Sequence, residues 1–284
     1  QGSGNVPSVV IPAHNEEAGI ERTLRGVLAD AVPDLEIVVV VNATTDRTAE
    51  IAAGVDPRIK VIDTPTPGKT NALNLGEAEV SGFPRMFLDA DIELRSGAVT
   101  HLLAGVDERR RIVSPRPHFD RSNLSFGMRL FYRAQRFNPY FGDGAPNGSG
   151  CFVVGESGRA RWGEFPEIIA DDGFVQGHFE PSERFTVSEA EAVVLPPQTL
   201  AAMITVRARV RRGTYELHRR FPELMKNHVA RGGGVFKRLA VRPWEWPAML
   251  VYGYVRIAER LIARRQTAAG TSGWGRDETA RSAD

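Results

Sequence analysis

The stretch Leu35-Glu36-Ile37-Val38-Val39-Val40-Val41 constrains the fold more than any other. An almost unbroken aliphatic run offers no polar face to water, which marks a strand of a parallel sheet covered on both sides. Parallel strands need long crossovers, usually helices, and the neighbouring sequence supplies them. A strand over 6–13, closed by Pro12, precedes a helix over 18–29 with Ile20, Leu24, Val27 and Leu28 along one side. Asn15 reads as that helix's cap, and Glu16 and Glu17 suit the positive end of its dipole. Asn42-Ala43-Thr44-Thr45-Asp46 then leads into a helix through Ala53, a strand over 59–62, a turn over 63–69, a helix over 70–80 and a strand over 85–88. Strand, loop and helix thus repeat three times, which predicts a doubly wound, Rossmann-like α/β fold with a mostly parallel sheet and helices on both faces.

Further along, the pattern predicts a helix over 96–106, a short strand at Ile112-Val113, a helix within 119–140, a glycine-rich loop over 142–150, and strands over 151–154 and 187–195. The tail beyond Thr267 is small and polar, as mobile ends are. The chain has 284 residues, enough for one large domain or two joined ones, and its 36 basic and 35 acidic residues leave a net charge of +1. That balance gives no case for nucleic acid, and aromatic and basic residues are not interleaved as they are in nucleic-acid modules. A single cysteine, Cys151, excludes a disulfide framework and a cysteine zinc site and fits a reducing compartment. Gln1-Gly2-Ser3-Gly4 reads as a vector-derived remnant with no signal peptide after it. A cytoplasmic location is therefore expected.

Chemistry concentrates where strands end. Arg85-Met86-Phe87-Leu88 runs directly into Asp89-Ala90-Asp91. A strand that stops there carries two carboxylates to the edge where open α/β sheets bind ligands. Aspartates two apart can share one hard cation, which bridges readily to phosphates, although a plain turn can also begin with aspartate. Lys69, behind Gly68, offers a cation at another strand end. The spacing of a P-loop is absent. Asp171-Asp172 stands some eighty residues later and reads either as a catalytic pair or as a helix start.

Taken in order, Pro12-Ala13-His14-Asn15-Glu16-Glu17, Asp89-Ala90-Asp91 and Asp171-Asp172, with a basic segment after them, resemble the family 2 inverting glycosyltransferases of GT-A fold. The likeness spans 8 to about 215. It implies transfer, of hexosyltransferase type, of a sugar from a nucleoside-diphosphate donor to the hydroxyl of a small-molecule, glycan or lipid-linked acceptor, with Mg²⁺ or Mn²⁺ as cofactor. By that resemblance Pro12, Ala13, Asn15, Glu17 and Asn42 line the nucleotide. Asp89, Ala90 and Asp91 form the Asp-x-Asp motif, with Asp91 and Asp89 at the ribose and metal. Lys69 faces the diphosphate, and Asp172 is the general base that inversion requires. Asn147-Gly148-Ser149-Gly150-Cys151 resembles the segment lining donor sugar and acceptor.

Arg209-Val210-Arg211-Arg212-Gly213 resembles the Gln-x-x-Arg-Trp motif of processive synthases, with Arg209 for Gln and Gly213 for Trp. Arg209 and Arg212 are thereby candidates for the diphosphate, and the departures argue for a non-processive enzyme. His218 is a further metal candidate, although a lone histidine is more often ordinary surface. Val41 stands where relatives carry a uracil-reading aspartate, which puts uridine in doubt and leaves Asn42 to contact the base.

The expected organisation is a donor half over 5–115, an acceptor half over 116–205 and a basic extension over 206–284. From 207 to 242, eleven Arg or Lys stand against Glu216 and Glu223, followed by Trp244, Trp246, Tyr252 and Tyr254. This segment is a candidate for peripheral contact with the cytoplasmic membrane face. Two rivals stay open: a sugar nucleotidyltransferase of the same fold, and a non-catalytic sugar- or lipid-phosphate-binding relative.

Overall fold

The structure, a computed structural model, describes residues 6–138, 150–228 and 234–269. They fall into two compact units whose segments alternate along the chain: 6–119, 150–167 and 178–194 in the first, the remainder in the second.

The first unit holds one eight-stranded sheet in the order β3-β2-β1-β4-β7-β6-β8-β5. Its strands are β1 (Ser8–Ala13), β2 (Glu36–Asn42), β3 (Ile59–Thr64), β4 (Arg85–Leu88), β5 (Glu93–Leu94), β6 (Ile112–Phe119), β7 (Cys151–Val154) and β8 (Arg184–Val194). β3, β2, β1 and β4 are parallel, as are β6 and β8, whereas β7 runs against both β4 and β6 and β5 runs against β8. This is the mostly parallel α/β sheet that the aliphatic runs predict.

Alternation along each strand sends side chains to opposite faces. Val9, Ile11, Ile37, Val39 and Val41 share a buried cluster with Ile20, Leu24 and Val27 of α1 (Ile20–Leu28), Ala52 of α2 (Thr48–Val55), and Val99 and Leu102 of α4 (Ala98–Gly105). Val10 and Val40 face the other way, toward α3 (Lys69–Ala78), where a Cβ on Gly76 would lie 2.5 Å from Val10 Cγ1. The absent side chain lets this helix approach the sheet closely.

Two strands run through prolines: β1 through Pro12, expected to close it, and β6 through Pro115 and Pro117, beyond the short strand expected at Ile112-Val113. Ser8 donates its N–H to Pro84 on the β4 side of β1, and the period of two puts position 12 on that same side. The β1–β4 ladder stops at Val10↔Phe87, so the N–H that Pro12 lacks falls beyond it. β6 likewise extends past Ile112-Val113 because β7 pairs with those two residues alone, leaving Pro115 and Pro117 where β6 has β8 as partner.

The second unit is helical: α5 (Phe126–Gln135), α7 (Asp171–Gly177), α8 (Leu200–Arg220), α9 (Val235–Ala240) and α10 (Trp246–Ala268), while the short α6 (Glu156–Arg159) belongs to the first. Phe131 of α5 stacks on Tyr252 of α10 with ring centres 5.6 Å apart. Glu259 of α10, 1% exposed, accepts from Arg207 and Arg211 of α8 and lies 3.0 Å from Arg256. Glu245, buried to the same degree, pairs with Arg133 and Arg136 around α5.

Removing a buried carboxylate among arginines leaves their charge uncompensated. Glu259→Gln is therefore expected to lower unfolding free energy by about 3 kcal/mol, read as a shift in the urea midpoint. A shift within error would mean that the cluster contributes nothing net.

Candidate active site

In the first unit, parallelism brings the loops after β1, β2, β3 and β4 to one edge of the sheet, and Asn42 knots three of them. Its Nδ2 donates to Ala13 O at 2.7 Å, its Oδ1 accepts from Gly68 N at 3.2 Å, and its carbonyl oxygen lies 2.6 Å from His14 Nδ1. The side chain is 3% exposed. Both ends of the amide are thus committed to backbone, and the structure gives Asn42 the task of holding the edge together. Pro12 and Ala13 are buried in β1, beneath that edge.

Asn15 does not cap α1. That helix starts at Ile20, and its N-cap position is Gly19, which has no side-chain hydrogen bond. Asn15 instead adopts a left-handed φ of 51°, which asparagine tolerates, and accepts from Thr45 N at 2.9 Å. Asp46 accepts from Glu17 N at 3.1 Å and Thr48 N at 3.0 Å, while Glu17 accepts from Arg47 N at 3.1 Å. These reciprocal bonds fasten the loop after β1 to the loop after β2. Partial burial acts to raise the Asp46 pKa, but hydrogen bonds from Thr48 and Glu17 outweigh it and hold the carboxyl below its ordinary value.

At the end of β4, the Asp89 N–H donates to Gly150 O at 2.8 Å and its carbonyl accepts from Ile92 N at 3.2 Å, closing a turn. Its carboxylate Oδ1 lies 2.7 Å from Lys69 Nζ, the first residue of α3. Ala90 is buried and its carbonyl accepts from Thr23 Oγ1 of α1 at 2.8 Å, whereas Asp91 is exposed. Gly150, at φ 62°, passes so near that a Cβ would meet Ile92 Cγ1 at 2.6 Å and Asp89 Oδ2 at 3.1 Å. The resemblance sets the segment with Gly150 near the donor sugar, whereas Thr23, far from the acids along the chain, gave no such signal in the sequence. Cys151 is fully buried, and burial, then the Asp89 charge, pushes its thiol far above the ordinary range. A thiol held protonated is no nucleophile. Asn147, Gly148 and Ser149 lie outside the described residues.

Asp89 and Asp91 are hard oxygen donors of the kind Mg²⁺ and Mn²⁺ take. Among the described residues no three His, Cys, Asp or Glu side chains gather as a cage.

In the second unit, α7 opens on Asp171, buried, and Asp172, exposed, whose Oδ1 accepts from Gly173 N at 2.7 Å. α8 crosses the start of α7 closely: a Cβ on Gly213 would lie 2.8 Å from Ala170 Cβ, so a tryptophan could not stand at 213. Arg212 on α8, 5% exposed, and Asp171 at the start of α7, 6% exposed, are both buried. Glu216 of α8 accepts from Ile169 N at 3.0 Å, and His228 Nε2 lies 3.0 Å from Gly173 O. Arg209 is half-buried on α8, and His218 is exposed near its end.

Residues 8–157 match the family model described as Glycosyl transferase family 2. A Bacillus subtilis protein named probable glycosyltransferase YdaM is 39% identical over 117 residues, covering 37% of this chain and 28% of the relative. The chain thus aligns with less than a third of that curated relative's length. Among solved structures, a mannosyltransferase from Pyrobaculum calidifontis, in complex with GDP-Man and Mn²⁺, superimposes with a TM-score of 0.57 at 20% identity, covering 94% of this chain and 76% of that one. Glucosyl-3-phosphoglycerate synthase from Mycobacterium tuberculosis, in complex with UDP, gives 0.54 at 21% identity, covering 79% and 80%. At such identities the likeness concerns the fold, which is GT-A.

The Asp46 knot carries its own pH signature. Because the folded-state pKa is depressed, its stabilisation is present above the ordinary carboxylate range and lost as pH falls through the folded value. The urea-midpoint difference between wild type and Asp46→Asn should be largest near neutrality and shrink as pH falls through and below the ordinary carboxylate range. A difference constant across that range would contradict the assignment.

Proposed function

Because the chain belongs to glycosyl transferase family 2, we propose that it is a metal-dependent, inverting, non-processive glycosyltransferase using a nucleoside-diphosphate sugar. The observation that carries this reading is the Lys69–Asp89 pair, 2.7 Å apart beside Asp91 at the carboxyl edge of a parallel sheet. A cation and two carboxylates at such an edge answer the two needs of a sugar diphosphate: compensation for the phosphate charge, and hydrogen-bond acceptors for ribose hydroxyls. The solved relatives named with GDP-Man, Mn²⁺ and UDP support a donor of this class.

In the reaction, an acceptor hydroxyl oxygen attacks the anomeric carbon and forms the new C–O bond. The bond from that carbon to the diphosphate oxygen breaks, and the nucleoside diphosphate departs with the electron pair. The hydroxyl proton goes to Asp172, which we assign as base because its carboxylate is exposed and oriented by the first turn of α7. Lys69 neutralises charge on the diphosphate, and Arg209 and Arg212 are the second unit's cationic candidates for the same task. Asp91 and Asp89 hold the ion, which when bound supplies positive charge to the leaving group. His218 stays a candidate for an additional phosphate or metal contact. With Val41 buried and the Asn42 amide committed to backbone, the base falls to other groups of this edge, so the choice between purines and pyrimidines rests on measurement.

The test is calorimetry with UDP, GDP, CDP, ADP and dTDP, each with Mn²⁺ and with EDTA. One diphosphate should bind in a metal-dependent way, and Asp91→Ala should abolish that dependence. Asp172→Asn should keep the binding yet slow sugar transfer from the matching donor by about 10²–10⁴-fold. If none of the five binds, the donor site is misassigned. Pyrophosphate release from a nucleoside triphosphate and a sugar phosphate would instead favour a nucleotidyltransferase.

A further inference from the structure

Helix α10 in the second unit carries two features that packing leaves unexplained. Trp246, Leu250, Tyr254, Ile257 and Leu261 are all exposed, Leu250 by 70% and Ile257 by 59%. At 3.6 residues per turn these five positions fall within a sector of roughly 80°, a stripe about 22 Å long. The opposite side of the helix faces the core through Ala248, Tyr252, Val255, Glu259 and Ala263. Scattered exposed hydrophobics are normal, but a continuous line of them along four turns is not.

The second feature is charge. From 234 to 269 the basic residues are Lys237, Arg238, Arg242, Arg256, Arg260, Arg264 and Arg265, and the acids are Glu245 and Glu259. Both acids are 1% exposed and paired with arginines, so the outward electrostatics of this segment are positive throughout. Arg260 and Arg264 are exposed on turns that adjoin the stripe. Trp244, exposed by 66%, and the exposed Phe236 and Val241 extend the apolar surface ahead of the helix. No helix among the described residues is long and apolar enough to cross a membrane.

A helix with an exposed apolar stripe, flanking arginines and an aromatic at its start has the chemistry of one that lies in the plane of a bilayer interface. We propose that α10 docks this protein on an anionic lipid surface, with the Trp246–Leu261 stripe embedded at the acyl boundary and Arg260 and Arg264 on the headgroups. The positive field favours a membrane over a second copy of the chain, since two copies would bring like-charged faces together. This docking stands independently of the sugar-transfer reading and gives it a consequence: an acceptor presented at a lipid surface would be reached from a bound enzyme.

Sedimentation with vesicles tests the proposal, using phosphatidylcholine alone and phosphatidylcholine with about a third phosphatidylglycerol. The protein should pellet with the anionic vesicles, about tenfold less well with the neutral ones, and less well in about 1 M salt. Leu250→Glu with Ile257→Glu should reduce pelleting about tenfold or more, and Arg260→Glu with Arg264→Glu should do likewise. Both double variants should keep the wild-type circular dichroism melt and nucleoside-diphosphate binding, which separates failure of docking from failure of the enzyme reading. Equal pelleting of wild type and both variants, or none with anionic vesicles, would overturn the proposal. A dimer by light scattering that Leu250→Glu with Ile257→Glu dissolves, without vesicle binding, would assign the face to a second copy.

Discussion

Burial of both faces of the parallel ladder β3-β2-β1-β4 is the constraint on which the candidate site depends. Strands hidden on both sides must be aliphatic, and strands of one direction must end at one edge. His14, Asn42 and Asp89 reach the same side of the sheet because β1, β2 and β4 all run the same way. No loop has to travel to bring them there. The close approach of α3, made possible by the small Gly76, places Lys69 at the same end, and the ion pair with Asp89 follows.

Loops at such an edge have few apolar contacts to stiffen them, and polar side chains take over that task. Asn42 ties the loops after β1, β2 and β3 through one buried amide and its carbonyl, and Asp46 adds a second fastening between two of them. The Asp89-Ala90-Asp91 turn is held from two directions, by Gly150 O on the Asp89 amide and by Thr23 on the Ala90 carbonyl. The exposed Asp91 therefore hangs from a fixed backbone, the condition under which a carboxylate can present itself to a cation or a ribose without first being ordered.

The helical unit relies on another device. Its long helices α8 and α10 are rich in arginine, and the buried Glu259 draws Arg207, Arg211 and Arg256 inward, as the buried Glu245 does Arg133 and Arg136 around α5. Neutralising the inner arginines with buried acids leaves the outer ones without exposed acidic neighbours over 234–269, so core pairing and surface charge have a common origin.

The fold class, the order of elements as far as β4 and the placing of Asp89 and Asp91 at a strand end were legible in the chain, because period-two burial and unbroken aliphatic runs are local signals, whereas β5 and the helices α8, α9 and α10 were not. Lys69 reads as a turn residue at a strand end, and the structure makes it the first residue of α3. Tertiary structure decided what the polar residues do. The resemblance gives Asn42 only as a contact to the base, and the structure adds that its buried amide ties Ala13 to Gly68. Asn15 reads as a helix cap, yet a left-handed backbone turns it toward Thr45. Pro12, which reads as the close of the first strand, sits inside β1 because the ladder to β4 stops short of it. Gly150 beside Asp89, Gly213 beside Ala170 and the outward stripe of α10 depend on which distant segments meet. Chain pattern settles which residues must be buried, and three-dimensional packing settles which partners the remaining polar and apolar groups are left to find.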